Sequence, residues 1–176
     1  LYREQQASFR GLLRVLVAAV VLVFLVLLFA LESFRAPLVI ITIDAMSLLG
    51  VLTLLWLTGT PLNVSSLMGM IMIVGIVAEN AVFLLFYVEQ FRAAGEDRTA
   101  ALIRAGQLRA RPIIMTTLAA VLALVPLALG LGAGAQMQKP LALAVIGGFA
   151  LSVPLLLFCL PPLYALGRRP EAAGRV

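Results

Sequence analysis

Five long apolar stretches separated by short polar breaks run along this chain, at 12–31, 37–57, 62–88, 112–131 and 141–166. Each holds roughly the 20 apolar residues that a helix needs to cross a bilayer. In hydrocarbon no water satisfies the backbone, so a spanning segment must be a helix or a strand of a closed barrel, and the period-two alternation of a membrane barrel is absent. The pattern predicts an all-α integral membrane protein, a five-helix transmembrane bundle that occupies residues 12–166.

The breaks are as informative as the runs. Residues 32–36 and the TGTP sequence at 58–61 are too short to separate the helices they join, so neighbouring spans should pack side by side. A longer break at 89–111 opens with Gly95, Glu96, Asp97 and Arg98 and then sets Leu102, Ile103, Ala105 and Leu108 at roughly helical spacing. This predicts a helix over 96–110 along the inner membrane surface, with its acidic residues first and its arginines last, as the helix dipole favours. The glycine-rich loop at 130–140 is followed by no Lys-Ser or Lys-Thr pair and is not a phosphate loop. Residues 1–11 read as the polar end of an exported-side helix that feeds the first span, and 167–176 as a cytoplasmic tail. With Leu1 in place of an initiator and no signal peptide, the chain reads as the C-terminal piece of something larger.

Composition agrees with this picture: 63% of residues are hydrophobic and 12% charged, far from the balance of a soluble domain. The net charge of +5 is a topology signal. Arg3, Arg10, Arg14 and Lys139 fall on one side of the five spans, and the other nine basic residues, among them Arg35, Arg92, Arg98, Arg104, Arg109, Arg111, Arg168, Arg169 and Arg175, fall on the other. Cytoplasmic loops collect Lys and Arg, so the C-terminus is expected in the cytoplasm. The arginines are scattered along loop edges without interleaved exposed aromatics, which gives no case for nucleic-acid binding.

Familiar enzyme chemistry is largely excluded, since the chain has no His and one cysteine, Cys159, inside the fifth span. No nucleophile system, metal cluster or cofactor cradle is recognisable, and neither an enzyme nor a bound cofactor is expected. Met68, Met70 and Met72 alternate at i, i+2 and so do not share a helical face, which favours packing over soft-metal ligation. The polar residues within spans are few: Asp44, Ser47, Thr53, Glu79, Asn80, Thr116 and Thr117.

Glu79 stands out because it lies near the middle of a run otherwise free of charge. A charge at membrane depth costs roughly 3 kcal/mol on insertion scales, and such residues serve ion paths or buried pairs. About a dozen residues, or roughly 18 Å, separate it from Arg92, too far for its side chain to reach the interface. It needs protonation, a partner or water. Asp44, about 10 Å beyond Pro37, reads as a shallow carboxylate that water reaches from the inner side. Thr116 and Thr117 sit one turn past Pro112, where a hydroxyl either bonds back to its own helix or hands protons on.

The run GIVAENA at 75–81, the run RARPIIMT at 109–116 and the pair Gly147-Gly148 resemble the last five helices of resistance-nodulation-division (RND) efflux permeases. LESFRAP at 31–37, SLLG at 47–50 and GTPLN at 59–63 extend the likeness over essentially the whole chain. The resemblance implies the end of the second half of a twelve-helix RND transporter in the bacterial inner membrane. It implies a homotrimer, with large exported domains, a periplasmic adaptor and an outer-membrane channel as partners. Inward proton flow would drive export of a small-molecule or metal substrate. Glu79, Asn80, Arg109 and Thr116 match positions of the family's proton-relay cluster, with Asp44 and Thr117 as secondary candidates. In the multidrug branch the position matching Glu79 is usually a lysine that pairs with two carboxylates from the first half. A glutamate there is similar to heavy-metal exporters, whereas Asn80-Ala81 is similar to the drug type. Two other function classes fit the residues alone: a different proton-driven translocator for lipid or protein export, and a non-transporting scaffold in which Glu79 and Asp44 only hold helices together.

Overall fold

The computed structural model describes residues 2–31, 34–132, 134–160 and 162. The bundle is built from α1 (Tyr2–Leu31), α2 (Arg35–Leu57), α3 (Val64–Ala93), α4 (Arg98–Ala128) and α5 (Ala135–Pro154), and α5 continues through a π-helical turn at Leu155–Cys159. All five helices are long and apolar enough to cross a membrane. The expected tail at 167–176, the last residues of the expected fifth span, and Arg168, Arg169 and Arg175 lie outside the described residues. So do Glu32 and Ser33 of the first connection.

Two elements differ from the sequence expectation. The surface helix expected at 96–110 and the span expected at 112–131 form one continuous helix, α4, with Pro112 inside it. At 1.5 Å per residue its 31 residues measure roughly 46 Å. Because a bilayer core is about 30 Å thick, the arginine-bearing first turns extend beyond it. The fifth helix starts at Ala135, earlier than expected, because Gly130, Gly132 and Gly134 all adopt positive φ and together reverse the chain within a few residues.

Local chemistry sets the other ends. Asn63 caps α3: its side chain accepts from the Ser66 amide at 3.0 Å, while Ser66 Oγ accepts from the Asn63 amide at 2.8 Å. This reciprocal pair satisfies two orphan donors and accounts for a fully buried serine at a helix start. Asp97 caps α4 by accepting from the Thr99 amide. At the opposite end of the bundle, Ser65 Oγ donates to the Met137 carbonyl at 3.0 Å and ties the start of α3 to the start of α5.

The arrangement is centred on α5, which packs against α2, α3 and α4. Its closest approach is to α2. A Cβ on Gly50 would lie 2.6 Å from the Gly147 carbonyl oxygen and 2.7 Å from Leu151 Cβ, and one on Gly147 would lie 2.7 Å from the Gly50 oxygen and 2.8 Å from Leu54 Cβ. Backbone therefore rests on backbone, in an antiparallel register that sets Gly50 beside Leu151 and Leu54 beside Gly147. Small residues at such a crossing allow the dispersion contacts that hold helices together in lipid. Ile73 of α3 fills the space over Gly148. By contrast α1 is peripheral, with Val21, Leu22, Val26 and Phe29 all exposed, as suits a helix that faces lipid or a neighbour.

Gly147→Ala should lower stability by about 1–3 kcal/mol through overpacking. Gly75→Ala, at an open position with no atom within 4 Å, should be neutral or slightly stabilising; thermal unfolding in detergent would compare the two.

Candidate proton site

The site candidates sit on the α3–α4 pair, and an arginine–aromatic ladder sets their register. On α3, Phe83, Tyr87 and Phe91 recur every four residues and so share one face. The rings of Tyr87 and Phe91 stack with centroids 6.3 Å apart. Two arginines of α4 lie across them. Arg104 stands 4.6 Å from the Phe91 ring centre, and Arg109 stands 4.7 Å from Phe83 and 5.9 Å from Tyr87. Arg104 also pairs with Glu96 in the connection between the helices, and Arg92 pairs with Glu89 at 3.6 Å. A cation over a ring contributes roughly 0.5–1 kcal/mol when exposed and about 2 when desolvated.

Continued one turn further, the same antiparallel register sets Glu79 opposite the turn at 113–117, which contains Thr116. Glu79, Asn80 and Thr116 thus fall at one level of adjacent helices, with Arg109 held towards the arginine-rich end. Among the described residues no hydrogen bond or ion pair joins the four to one another. Glu79 points away from the five-helix core and is exposed, although the sequence sets it deep in an apolar run. The reason is rotational: the buried face of α3 carries Val74, Val77, Ala78 and Ala81, and Glu79 falls outside it. Asn80 is half-buried beside it.

The hydroxyl of Thr116 donates to its own helix, to the Pro112 carbonyl at 2.9 Å and the Ile113 carbonyl at 3.1 Å. Pro112 has no N–H and so leaves the Leu108 carbonyl, one turn before it, without its helical donor, whereas the two Thr116 bonds are back-bonds one turn after it. Thr117 turns to the other side of α4. There it lines an apolar cleft of about 380 Å³ between α4 and α5, with Ile114, Leu118, Ile146, Phe149 and Val153, and so it does not share the Glu79 face. The Nε of Arg109 is buried without a hydrogen-bond acceptor among the described residues, and the guanidinium is held by rings rather than by a carboxylate.

Asp44 departs most from expectation. In place of a shallow, wetted carboxylate it is a core residue, only 2% exposed, and neither carboxylate oxygen has a hydrogen-bond partner. The ladder of Phe83, Tyr87 and Phe91 and the buried Ser152 of α5 were not singled out by sequence reasoning, although the four-residue spacing of the aromatics is a readable signal.

These features define an integral membrane protein of helical-bundle type with ionisable groups at membrane depth. The AcrB/AcrD/AcrF family matches residues 1–168, and the chain belongs to this family of RND efflux permeases. It is 39% identical over 161 residues to the multidrug resistance protein MdtC of Erwinia tasmaniensis, an alignment covering 89% of this chain and 16% of that protein. It also resembles two crystal forms of a heavy metal efflux pump, with TM-scores of 0.79 and 0.78 and 33% identity, over 94% of this chain and 16% of the pump. The chain spans about one sixth of the length of these relatives.

A double-mutant cycle of Phe83→Leu and Arg109→Met, read by thermal unfolding, should give a coupling of about 0.5–2 kcal/mol. Phe83→Leu paired with Arg104→Met, whose guanidinium sits over Phe91 instead, should give a smaller coupling.

Proposed function

We propose that the chain is the closing helical portion of the second half of a proton-driven efflux permease, and that Glu79 is its protonatable centre. The observation that carries this reading is the placement of Glu79 on the outward face of α3, level with Thr116 and one turn from the ring that holds Arg109. This carboxylate, exposed at membrane depth, meets no ion-pair partner among the described residues. Its face is therefore the natural contact for helices contributed by the remainder of a longer protein.

In this mechanism Glu79 alternates between neutral and charged forms, and helix packing follows its charge. Asn80 orients the cluster, Thr116 exchanges its helix carbonyls for a hydrogen bond to the relay, and Arg109 attracts the carboxylate from the arginine-rich end. That end faces the cytoplasm, which gives an inner-membrane protein with a cytoplasmic C-terminus. The energies match in scale. A proton crossing the membrane supplies roughly 2.3 kcal/mol per 100 mV, and a charge at the bilayer centre costs roughly 3 kcal/mol. One proton is thus enough to decide which environment Glu79 tolerates.

The exported cargo is a drug, a metal ion or another small toxic compound. Selection of that cargo, trimer formation, and docking of a periplasmic adaptor and an outer-membrane channel fall to parts of the permease outside these five helices. In the full-length protein, Glu79→Gln should abolish proton-coupled export at normal expression and trimer content. Unchanged export in everted vesicles would leave Glu79 with a purely structural role.

A further inference from the structure

We infer a second proton-binding site, centred on Asp44, in the seam between α2 and α5. It stands apart from the Glu79 face and does not depend on the reading of Glu79 given above. Four polar residues are prominent in the buried core, and three of them, Asp44, Ser47 and Ser152, belong to α2 and α5. Extending the Gly50–Leu151 and Leu54–Gly147 register sets Ser47 opposite Pro154, within a turn of Ser152. Asp44 falls about 9 Å beyond the glycine crossing, opposite Leu157 in the middle of the π-helical turn at Leu155–Cys159.

Among the described residues the hydrogen-bonding of this column is incomplete at Asp44. Ser47 Oγ donates to the Asp44 carbonyl at 2.7 Å, and Ser152 Oγ makes a long contact of 3.5 Å with the Phe149 carbonyl. Both oxygens of the Asp44 carboxyl lack a donor. A bare carboxylate so enclosed is strongly unfavourable, whereas the neutral acid carries its own O–H donor and can offer it to a neighbouring hydroxyl or carbonyl. In this site the π turn at Leu155–Cys159 would offer that acceptor, since widening a helix by one residue displaces carbonyls from the regular i to i+4 ladder; π turns of this kind recur at functional sites.

Among the described residues no neighbouring charge takes over that role. On α2 itself Arg35 is nine residues away, roughly 13 Å. On α3, Glu79 is exposed, Glu89 and Arg92 pair with each other, and Tyr87 stacks on Phe91 beneath the arginines. On α5, Lys139 lies in the opening turns at the far end and Cys159 closes the π turn half-buried. On α1, Arg10 and Arg14 lie near its start, far from its junction with α2. The ligand that fits an acceptor-only group with no donor and no cation beside it is a proton.

The site is gated by packing. While Gly50 and Gly147 touch, water is excluded and Asp44 holds its proton; when α2 and α5 part, water reaches the carboxyl and the proton leaves. The test is infrared difference spectroscopy on the full-length protein in lipid at neutral pH, comparing wild type with Asp44→Asn, Ser152→Ala, Gly50→Ala and Glu79→Gln. The expected result is a protonated-carboxyl band that is lost in Asp44→Asn, shifted in Ser152→Ala, weakened in Gly50→Ala, where the added methyl pries the seam apart, and retained in Glu79→Gln. A band that survives in folded Asp44→Asn overturns the proposal, as does a carboxylate signal at Asp44 that responds to sodium. If Asp44→Asn does not fold, Ser152→Ala and Gly50→Ala decide: a band unchanged in both overturns it. Export assays on Glu79→Gln test the other site separately, so the two readings can fail independently.

Discussion

The contact between Gly50 and Gly147 is the constraint on which the rest of this bundle depends. In lipid, apolar surface gains nothing by leaving apolar surroundings, so helices associate through close packing and a small number of polar contacts. Two glycines facing each other bring α2 and α5 to backbone contact. That in turn fixes α5 at the centre, with α3 and α4 against its other faces. Ile73 packs over Gly148, the next residue along α5, and locks α3 into the same arrangement. A side chain at any of these positions would separate the helices and expose the polar residues of the seam.

A second, weaker device aligns α4 with α3. Arginines 104 and 109 lie on the rings of Phe91, Phe83 and Tyr87; Arg104 also pairs with Glu96, whereas the deeper Arg109 is held there with no carboxylate partner among the described residues. An ion pair at this depth would carry a desolvation penalty for both members. The ring faces avoid the second charge and still fix the register that sets Thr116 level with Glu79. Packing and electrostatics therefore divide the work: glycine contacts hold the inner seam, and cation–ring contacts position the outer face.

The two acidic residues in the spans show what this division produces. Glu79 is turned outward, where its protonation can be read by whatever packs on α3. Asp44 is turned inward, into the core of the bundle. In the proposed mechanism the outward residue serves as the relay, and the inferred site at the inward one ties proton release to helix separation. Both follow from rotation about helix axes rather than from depth along them.

Much of the fold was legible from the chain itself. Length and hydropathy determined five spanning helices, because no other backbone arrangement of these apolar runs satisfies its hydrogen bonds in lipid. Ordered motifs at 75–81, 109–116 and 147–148 carried the family. What the sequence could not decide was which way each polar residue faces and where a helix continues through a proline. Residues 98–128 form one helix through Pro112 because tertiary neighbours hold both halves in line, a property absent from local propensity. The expectation of a wetted Asp44 failed for a related reason. Depth was counted along one helix, but burial is set by the helices packed on it, chief among them α5, which comes about a hundred residues later in the chain. Periodicity fixes what a segment is; only the partner across the seam fixes what its side chains meet.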